Sequence, residues 1–217
     1  MRTLKNLKTP PSLKEMAFQS IKSAILSQKL LPGNTYNEQV LAKELGISKT
    51  PVREALLDLS HKGFVTFIQR KGVQINVLAR KDIKDLYEVR RALETAAIGI
   101  VMQRLTDEDL QRIEVIYEKG NEAIQTNDLS GYMRSDREFH ISLVNLTENR
   151  YMIAAIENIR DLLDWMGLKA LSRADLLKIQ QEHNRIIVGL RERNIDGAEQ
   201  SVEDHIQLTM QKVLELL

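Results

Sequence analysis

The sequence of 217 residues contains no cysteine. This absence excludes disulfides, thiolate metal sites, iron–sulfur clusters and cysteine nucleophiles, and it leaves histidine and the carboxylates as the expected metal ligands. No apolar run approaches the ~18–20 residues that a helix needs to cross a bilayer, so we expect no membrane span. The basic first residues lack the apolar core of ~7–15 residues of a secretory signal, which favours a cytoplasmic protein.

An excess of either charge is also missing, since the formal net charge is only +1. This total conceals two regions of opposite charge: residues 1–78 hold 12 basic and 5 acidic side chains, and the remainder holds 19 basic and 25 acidic ones. The net charges are therefore +7 and −6. A basic segment of this length is typical of a module that binds a polyanion. We predict two domains, 1–78 and 79–217, and charge alone leaves open whether the partner of the first is a nucleic acid.

The basic segment predicts helices joined by a tight turn. A capping box at residues 12–15 begins a first helix over about 12–29. Asn37 can cap a second, short helix, Gly46 supplies a left-handed turn, and Ser48 can cap a third helix. The predicted apolar face of the second helix consists of Val40, Leu41 and Leu45. This order of elements indicates a helix-turn-helix motif.

The third helix and the strands that follow it complete a predicted winged helix-turn-helix. After Gly63 the alternating runs FVTFIQ and VQINVL predict a β-hairpin wing. The exposed start of the third helix carries Lys49, Thr50 and Arg53, and the wing turn consists of Arg70, Lys71 and Gly72. Such a fold lays its recognition helix in the major groove of double-stranded DNA. A winged helix that binds protein is the alternative.

The stretch LLPGNTYNEQVLAKELGISKTPVREALLDLSHKGFV resembles the N-terminal domain of GntR-family bacterial transcription regulators. The resemblance implies DNA contacts at the start of the first motif helix, at the start of the recognition helix and in the wing. The matching residues are Gln39, Lys49, Thr50, Arg53, Arg70, Lys71 and Gly72. Gln39 and Lys49 stand where arginine is frequent in the family. Lysine keeps a phosphate contact but lacks the bidentate fork that reads guanine, so the base preference of the family cannot be transferred.

The acidic segment is predicted to be all α, because it shows helical periodicity throughout and no proline follows Pro51. We therefore expect a mainly α protein, whose winged domain is followed by an antiparallel bundle of six or seven helices. Start signals and periodicity place helices at about 82–104, 106–126, 128–146, 150–168, 172–193 and 196–216.

Three of the four histidines lie in this bundle at spacings that favour convergence. Asp136 and His140 are four residues apart, so both project from one face of a helix. His183 and His205 each lie 11 residues from Asn194, so their rings are level in an antiparallel hairpin. An Asp/His₃ set suits a divalent ion, with Zn²⁺ first and Ni²⁺, Mn²⁺ or Fe²⁺ as alternatives. A single histidine is more often an ordinary core residue, so spacing alone leaves the metal and the core interpretation open.

Four stretches of the bundle look like the FCD effector domain of the FadR subfamily of GntR regulators: DLYEVRRALETAA, DREFH, ENRYM and QEHNRIIVGLRERNIDGAEQSVEDHI. The resemblance implies a helical, dimer-forming domain that senses small carboxylates, in many members through a metal held by one Asp and three His. The matching residues are Asp136, His140, His183 and His205. Arg90 matches a position directed into the family's pocket, with an ion pair to Glu94 as the alternative. Arg134 and Arg160 are further candidates for contact with the effector.

Together these features predict a transcription regulator. The winged domain is expected to bind a palindromic operator as a homodimer, and a small carboxylate effector is expected to change the geometry of the dimer. One alternative is a metal-responsive regulator in which the ion itself is the signal. The other is a metalloenzyme, but neither G-x-S-x-G nor H-E-x-x-H occurs, and we expect no catalysis.

Overall fold

The chain forms two compact units in a computed structural model that describes residues 10–166 and 171–215. One unit extends to Val77 and the other begins at Leu78, so the boundary lies one residue before the predicted one. None of the helices in these described ranges is long and apolar enough to cross a membrane.

The first unit contains three helices and a small antiparallel sheet of strand order β1-β3-β2. The helices are α1 (Leu13–Leu26), α2 (Glu38–Glu44) and α3 (Lys49–His61), and the strands are β1 (Thr35–Tyr36), β2 (Val65–Ile68) and β3 (Gly72–Ile75). The predicted capping box is present, since the Ser12 side chain accepts from the Glu15 N–H and the Glu15 carboxylate accepts from the Ser12 N–H. The core is closed where α1 packs on α3.

The third strand of the sheet was not predicted, because β1 is only two residues long and too short for an alternating pattern. Thr35 and Tyr36 pair with Gln74 and Val73 of β3. The pairing depends on Gly72, whose φ is +113° and where an added Cβ would collide with the Tyr36 carbonyl. The glycine of the wing turn therefore permits the close approach of β1.

One detail of the predicted helix-turn-helix is wrong. Val40 is 52% exposed, and the buried face of α2 consists of Glu38, Leu41 and Ala42. Glu38 is buried because it pairs with cations of α3, a contact that hydropathy cannot indicate. Ser48 occupies the N-cap of α3 with extended backbone, but within the described chain its side chain makes no capping hydrogen bond.

The second unit contains six helices within the described residues. They are α4 (Arg80–Met102), α5 (Asp107–Gln125), α6 (Leu129–Asn145), α7 (Arg150–Met166), α8 (Arg173–Arg191) and α9 (Ile195–Glu215). Thr106, Asp128 and Ser172 cap their helices as predicted. The start of α9 lies earlier than predicted, because the Asn194 side chain accepts from the Gly197 N–H. The predicted helix ends at 168 and 216 lie outside the described residues.

The helices that matter for the site are packed in pairs: α4 and α8 both pack on α9, and α5 packs on α6 and α8. The α8–α9 pair is in close contact at Gly189, where an added Cβ would lie 2.8 Å from the Ala198 Cα. No larger residue fits there without separating the helices. This contact sets the distance between the helices that carry His183 and His205.

Candidate metal centre and nucleic-acid interface

Asp136 and His140 of α6, His183 of α8 and His205 of α9 come together in the interior of the second unit. Each offers one ligand atom, and these atoms all lie within 4.8 Å of one another. All four side chains are buried, His140 and His205 completely. The structure therefore brings together all four residues of the predicted metal site.

The donor atoms have separations that suit a metal ion. His183 Nε2 lies 3.2 Å from His140 Nε2 and 3.5 Å from Asp136 Oδ1. His140 Nε2 lies 3.8 Å from the same carboxylate oxygen. Because Zn–N bonds measure about 2.0–2.1 Å, neighbouring donors of a tetrahedral zinc site are roughly 3.3 Å apart.

Two polar side chains fix the imidazole tautomers. Glu94 Oε2 lies 2.7 Å from His140 Nδ1, so that nitrogen donates its proton and Nε2 keeps a lone pair. Gln180 does the same for His183: its Nε2 donates to the Tyr117 carbonyl at 2.8 Å, which leaves its Oε1 to accept from His183 Nδ1 at 3.2 Å. Partners of this kind orient metal-binding histidines in proteins.

The consequence is that His140 Nε2 and His183 Nε2 both carry a lone pair, and the two nitrogens lie 3.2 Å apart. A cation bound to both nitrogens would relieve their mutual repulsion. His205 adds a second requirement, because its Nδ1 is buried with no hydrogen-bond partner among the described residues. A buried polar atom without a partner is costly, so the donor set fits a bound cation.

Burial also keeps the ligands in their metal-binding protonation states. It lowers the pKa of His183 to about 4 and the pKa of His140 and His205 well below the usual value, so all three are neutral near pH 7. Burial of Asp136 acts to raise its pKa, but the Arg160 guanidinium, with a smaller contribution from Arg90, outweighs burial and holds that pKa far below its ordinary value. Asp136 is therefore a carboxylate.

Two of the three arginines predicted for the effector lie at this cluster. Arg160 is buried and donates to Asp136 Oδ2. Arg90 is buried as well, and it forms both the alternative Glu94 ion pair, at 2.7 Å, and a contact of 2.9 Å from its Nη2 to His140 Nε2. Arg134 is not brought to the cluster: its side chain is 73% exposed and lies 3.6 Å from Asp128.

Sequence reasoning missed the roles of Gln180 and Glu94 toward the histidines. Glu94 was weighed only as a partner of Arg90, although its other oxygen binds a histidine 46 residues away. Gln180 lies one turn before His183 on α8, and this spacing is the one signal that could have indicated its contact.

The predicted nucleic-acid interface lies where the start of α3 meets the wing. Five of the seven predicted residues line one open cleft there, and Gln39 and Thr50 are exposed outside it. The five are Lys49, Arg53, Arg70, Lys71 and Gly72.

Glu38 organises the basic side chains of this cleft. Arg53 Nη1 donates to both oxygens of Glu38, at 2.9 and 3.1 Å, and the Lys49 Nζ lies 3.3 Å from the same carboxylate. The Arg53 guanidinium also lies 5.8 Å from the centre of the Phe67 ring on the wing. Arg53 of α3 is therefore tied to both α2 and the wing, while its side chain remains 55% exposed.

Comparison with known protein families assigns both units. Residues 13–75 match the family described as bacterial regulatory proteins, gntR family, and residues 85–208 match the FCD domain. The Nta operon transcriptional regulator of Aminobacter aminovorans is 32% identical over 200 residues, which cover 88% of this chain and 90% of that protein. The HTH-type transcriptional regulator YdhC of Bacillus subtilis is 31% identical over 193 residues, with 87% and 85% covered.

Solved structures show the same fold. Escherichia coli McbR/YncC has a TM-score of 0.81 at 20% identity, with 95% of this chain and 99% of that chain covered. A putative GntR transcriptional regulator from Rhodococcus sp. RHA1 has a TM-score of 0.78 at 20% identity, with 95% and 100% covered. The predicted winged helix-turn-helix and helical bundle are thereby confirmed.

These findings define a transcription regulator that joins a DNA-binding head to a helical FCD domain. The chain belongs to the GntR family of bacterial transcription regulators, in agreement with the resemblance in its sequence. The prediction of a regulator rather than an enzyme is confirmed by the same relatives.

Proposed function

We propose that this regulator holds a divalent metal ion at Asp136, His140, His183 and His205, and that a small carboxylate bound beside the ion controls operator affinity. The observation that carries the proposal is the convergence of four buried ligand atoms within 4.8 Å of one another. The tautomers set by Glu94 and Gln180 direct the lone pairs of two of these ligands toward the centre of the cluster.

The donor chemistry favours a borderline metal. Three neutral imidazoles and one carboxylate suit Zn²⁺, and Ni²⁺, Mn²⁺ or Fe²⁺ accept the same ligands. Ions that prefer six ligands would keep open positions, because the protein supplies four. Those positions would accept the oxygen atoms of a small acid.

The charge of the site favours an anionic effector. The carboxylates of Glu94 and Asp136 balance the guanidiniums of Arg90 and Arg160, so a dication would leave a buried net charge of +2. A carboxylate or dicarboxylate would offset it. Further donors are present, since Arg160 Nε and the Tyr132 hydroxyl are buried without a partner among the described residues.

A homodimer is proposed for the helical unit. Val89 and Ile100 of α4 are 50% and 37% exposed although they are large and apolar, and Ala96 between them is exposed too. Their spacings place all three along one side of the helix, the pattern of a surface that packs against another helix. Two-fold symmetry would let two recognition helices read the half-sites of a palindromic operator.

Metal content tests the site directly. We expect purified protein to contain about one divalent ion per chain, and His183→Ala and His205→Ala to lose it, because each variant removes one of four ligands. His61→Ala is the matched control, since His61 is an exposed histidine at the end of α3. Full retention of the ion in both ligand variants would contradict the site.

A second function, in which the metal itself is the signal, is favoured by one observation: the four protein ligands could complete a tetrahedral zinc shell without an effector. Separate titrations of operator release with metal ions and with a panel of acids distinguish the two functions. Release by an acid at constant metal supports the carboxylate effector, and release by metal alone supports the metal sensor.

A further inference from the structure

Arg90 contacts one histidine nitrogen that a metal would use, and it lies beside a second histidine of the cluster. Its Nη2 lies 2.9 Å from His140 Nε2 and 3.3 Å from His205 Nε2. Because Glu94 accepts the Nδ1 proton of His140, His140 Nε2 offers a single lone pair, to which Arg90 donates. A guanidinium N–H and a metal ion cannot both bind this lone pair, so each excludes the other.

From this geometry we infer that Arg90 is an internal competitor for the metal, and that metal binding releases its guanidinium for contact with an anion. The inference rests on the proposed metal site. The Nε of Arg90 donates separately to Glu94 Oε1 at 2.7 Å, and no histidine takes part in that bond. The side chain can therefore stay anchored while Nη2 leaves the imidazoles.

Arg160 does not compete in this way. It donates to Asp136 Oδ2, whereas the other oxygen of that carboxylate, Oδ1, is the one 3.5 Å from His183 Nε2. The metal-facing oxygen of Asp136 is therefore separate from the one that Arg160 binds. Of the two arginines that are buried among the described residues, only Arg90 shares an acceptor with the metal, namely His140 Nε2.

The competition couples metal binding to anion binding. A metal ion must displace Arg90 from His140 Nε2, which weakens the binding of the metal. An anion that pairs with the released guanidinium lowers that cost, because arginine forms strong charge-assisted hydrogen bonds with carboxylates. The two ligands should therefore strengthen each other, and by reciprocity by the same factor.

The test is zinc affinity, measured by competition with a chromophoric chelator in the presence and absence of acetate. The variant is Arg90→Gln, and the matched control is Arg91→Gln, an exposed arginine that follows Arg90 on α4. We expect Arg90→Gln to bind zinc on the order of tenfold more tightly than the wild type without acetate, since a hydrogen bond from a charged group no longer has to be broken. Acetate should tighten zinc binding by the wild type and by Arg91→Gln, and leave Arg90→Gln unchanged.

Arg90→Gln leaves Glu94 without its cation, so the same substitution is also made in a Glu94→Gln background, where the amide oxygen still accepts the His140 proton. Thermal unfolding checks that each variant is folded. Zinc affinity that is unchanged or weaker on loss of Arg90 in both backgrounds overturns the competition. A gain without any effect of acetate on the wild type overturns the release to an anion. Absence of zinc binding by the wild type overturns the proposed function itself, and this inference with it.

Discussion

Substitution of Gly189, where α8 contacts α9, should lower the stability of the helical unit and change the geometry of the candidate site. In Gly189→Ala the new Cβ would lie 2.8 Å from the Ala198 Cα and 2.9 Å from its backbone nitrogen. Backbone atoms cannot rotate away, so the helices must separate. Overpacking of this kind costs about 1–3 kcal/mol. Alanine regains about 1 kcal/mol over glycine inside a helix. The net loss of about 1 kcal/mol corresponds to a Tm lower by roughly 2–4 °C in a chain of this size.

Gly99→Ala is the matched control for this substitution. Gly99 also lies inside a helix, but its added Cβ would meet only the end of the flexible Glu199 side chain, at 3.1 Å. We expect this variant to be at least as stable as the wild type and to bind zinc normally. Gly189→Ala should in addition bind zinc more weakly, because separation of α8 and α9 moves His183 away from His205. A Gly189→Ala protein as stable as Gly99→Ala, with unchanged zinc affinity, would refute the reasoning.

Three further predictions concern the partners, the interface and the protonation of the site. Gln180→Leu should weaken zinc binding by about 10–100-fold, because His183 loses the acceptor that fixes its tautomer; unchanged affinity in the chelator competition would contradict this role. Arg53→Ala should reduce the preference for operator over random DNA, as measured by anisotropy titrations. Lys71→Ala should weaken binding to both kinds of DNA and reduce the salt slope by about one. An operator preference that the two substitutions reduce equally would contradict the assignment. Since the folded pKa of His183 is about 4 and the usual value is 6.5, the unfolded chain binds the extra proton between these values, so the free energy of unfolding without metal should be highest above pH 6.5 and fall toward pH 4. Urea denaturation of chelator-treated protein that shows no such fall would count against a buried neutral His183.

The sequence predicted those parts of the fold that depend on local patterns. The capping box at Ser12, the caps at Thr106 and Ser172, and the alternation in the wing are short-range signals, and the structure contains each of them. It could not predict β1, whose two residues carry no period. It also placed Val40 in the core instead of Glu38, because burial of Glu38 depends on cations that lie on the next helix.

Equal spacing from a turn predicted that His183 and His205 lie level across two antiparallel helices, and the family resemblance then indicated the four ligands. The partners were not predictable in this way. The contact between Arg90 and His205 joins residues 115 apart, and the bond from Gln180 to Tyr117 joins residues 63 apart. In the sequence only the family resemblance distinguished Arg90 from Arg134, and the packing of α4 against α6 and α9 brings Arg90 to the site.

The most direct test of the account is operator affinity as a function of a bound acid. An operator fragment is first selected from random DNA with the protein, and an acid is chosen that stabilises the zinc-loaded protein in a thermal-shift screen. The dissociation constant of the protein–DNA complex is then measured with and without this acid, for the wild type and for His183→Ala. We predict a shift of about 5–150-fold for the wild type and none for the variant, because the acid acts through the metal site. An equal shift in His183→Ala would contradict the account.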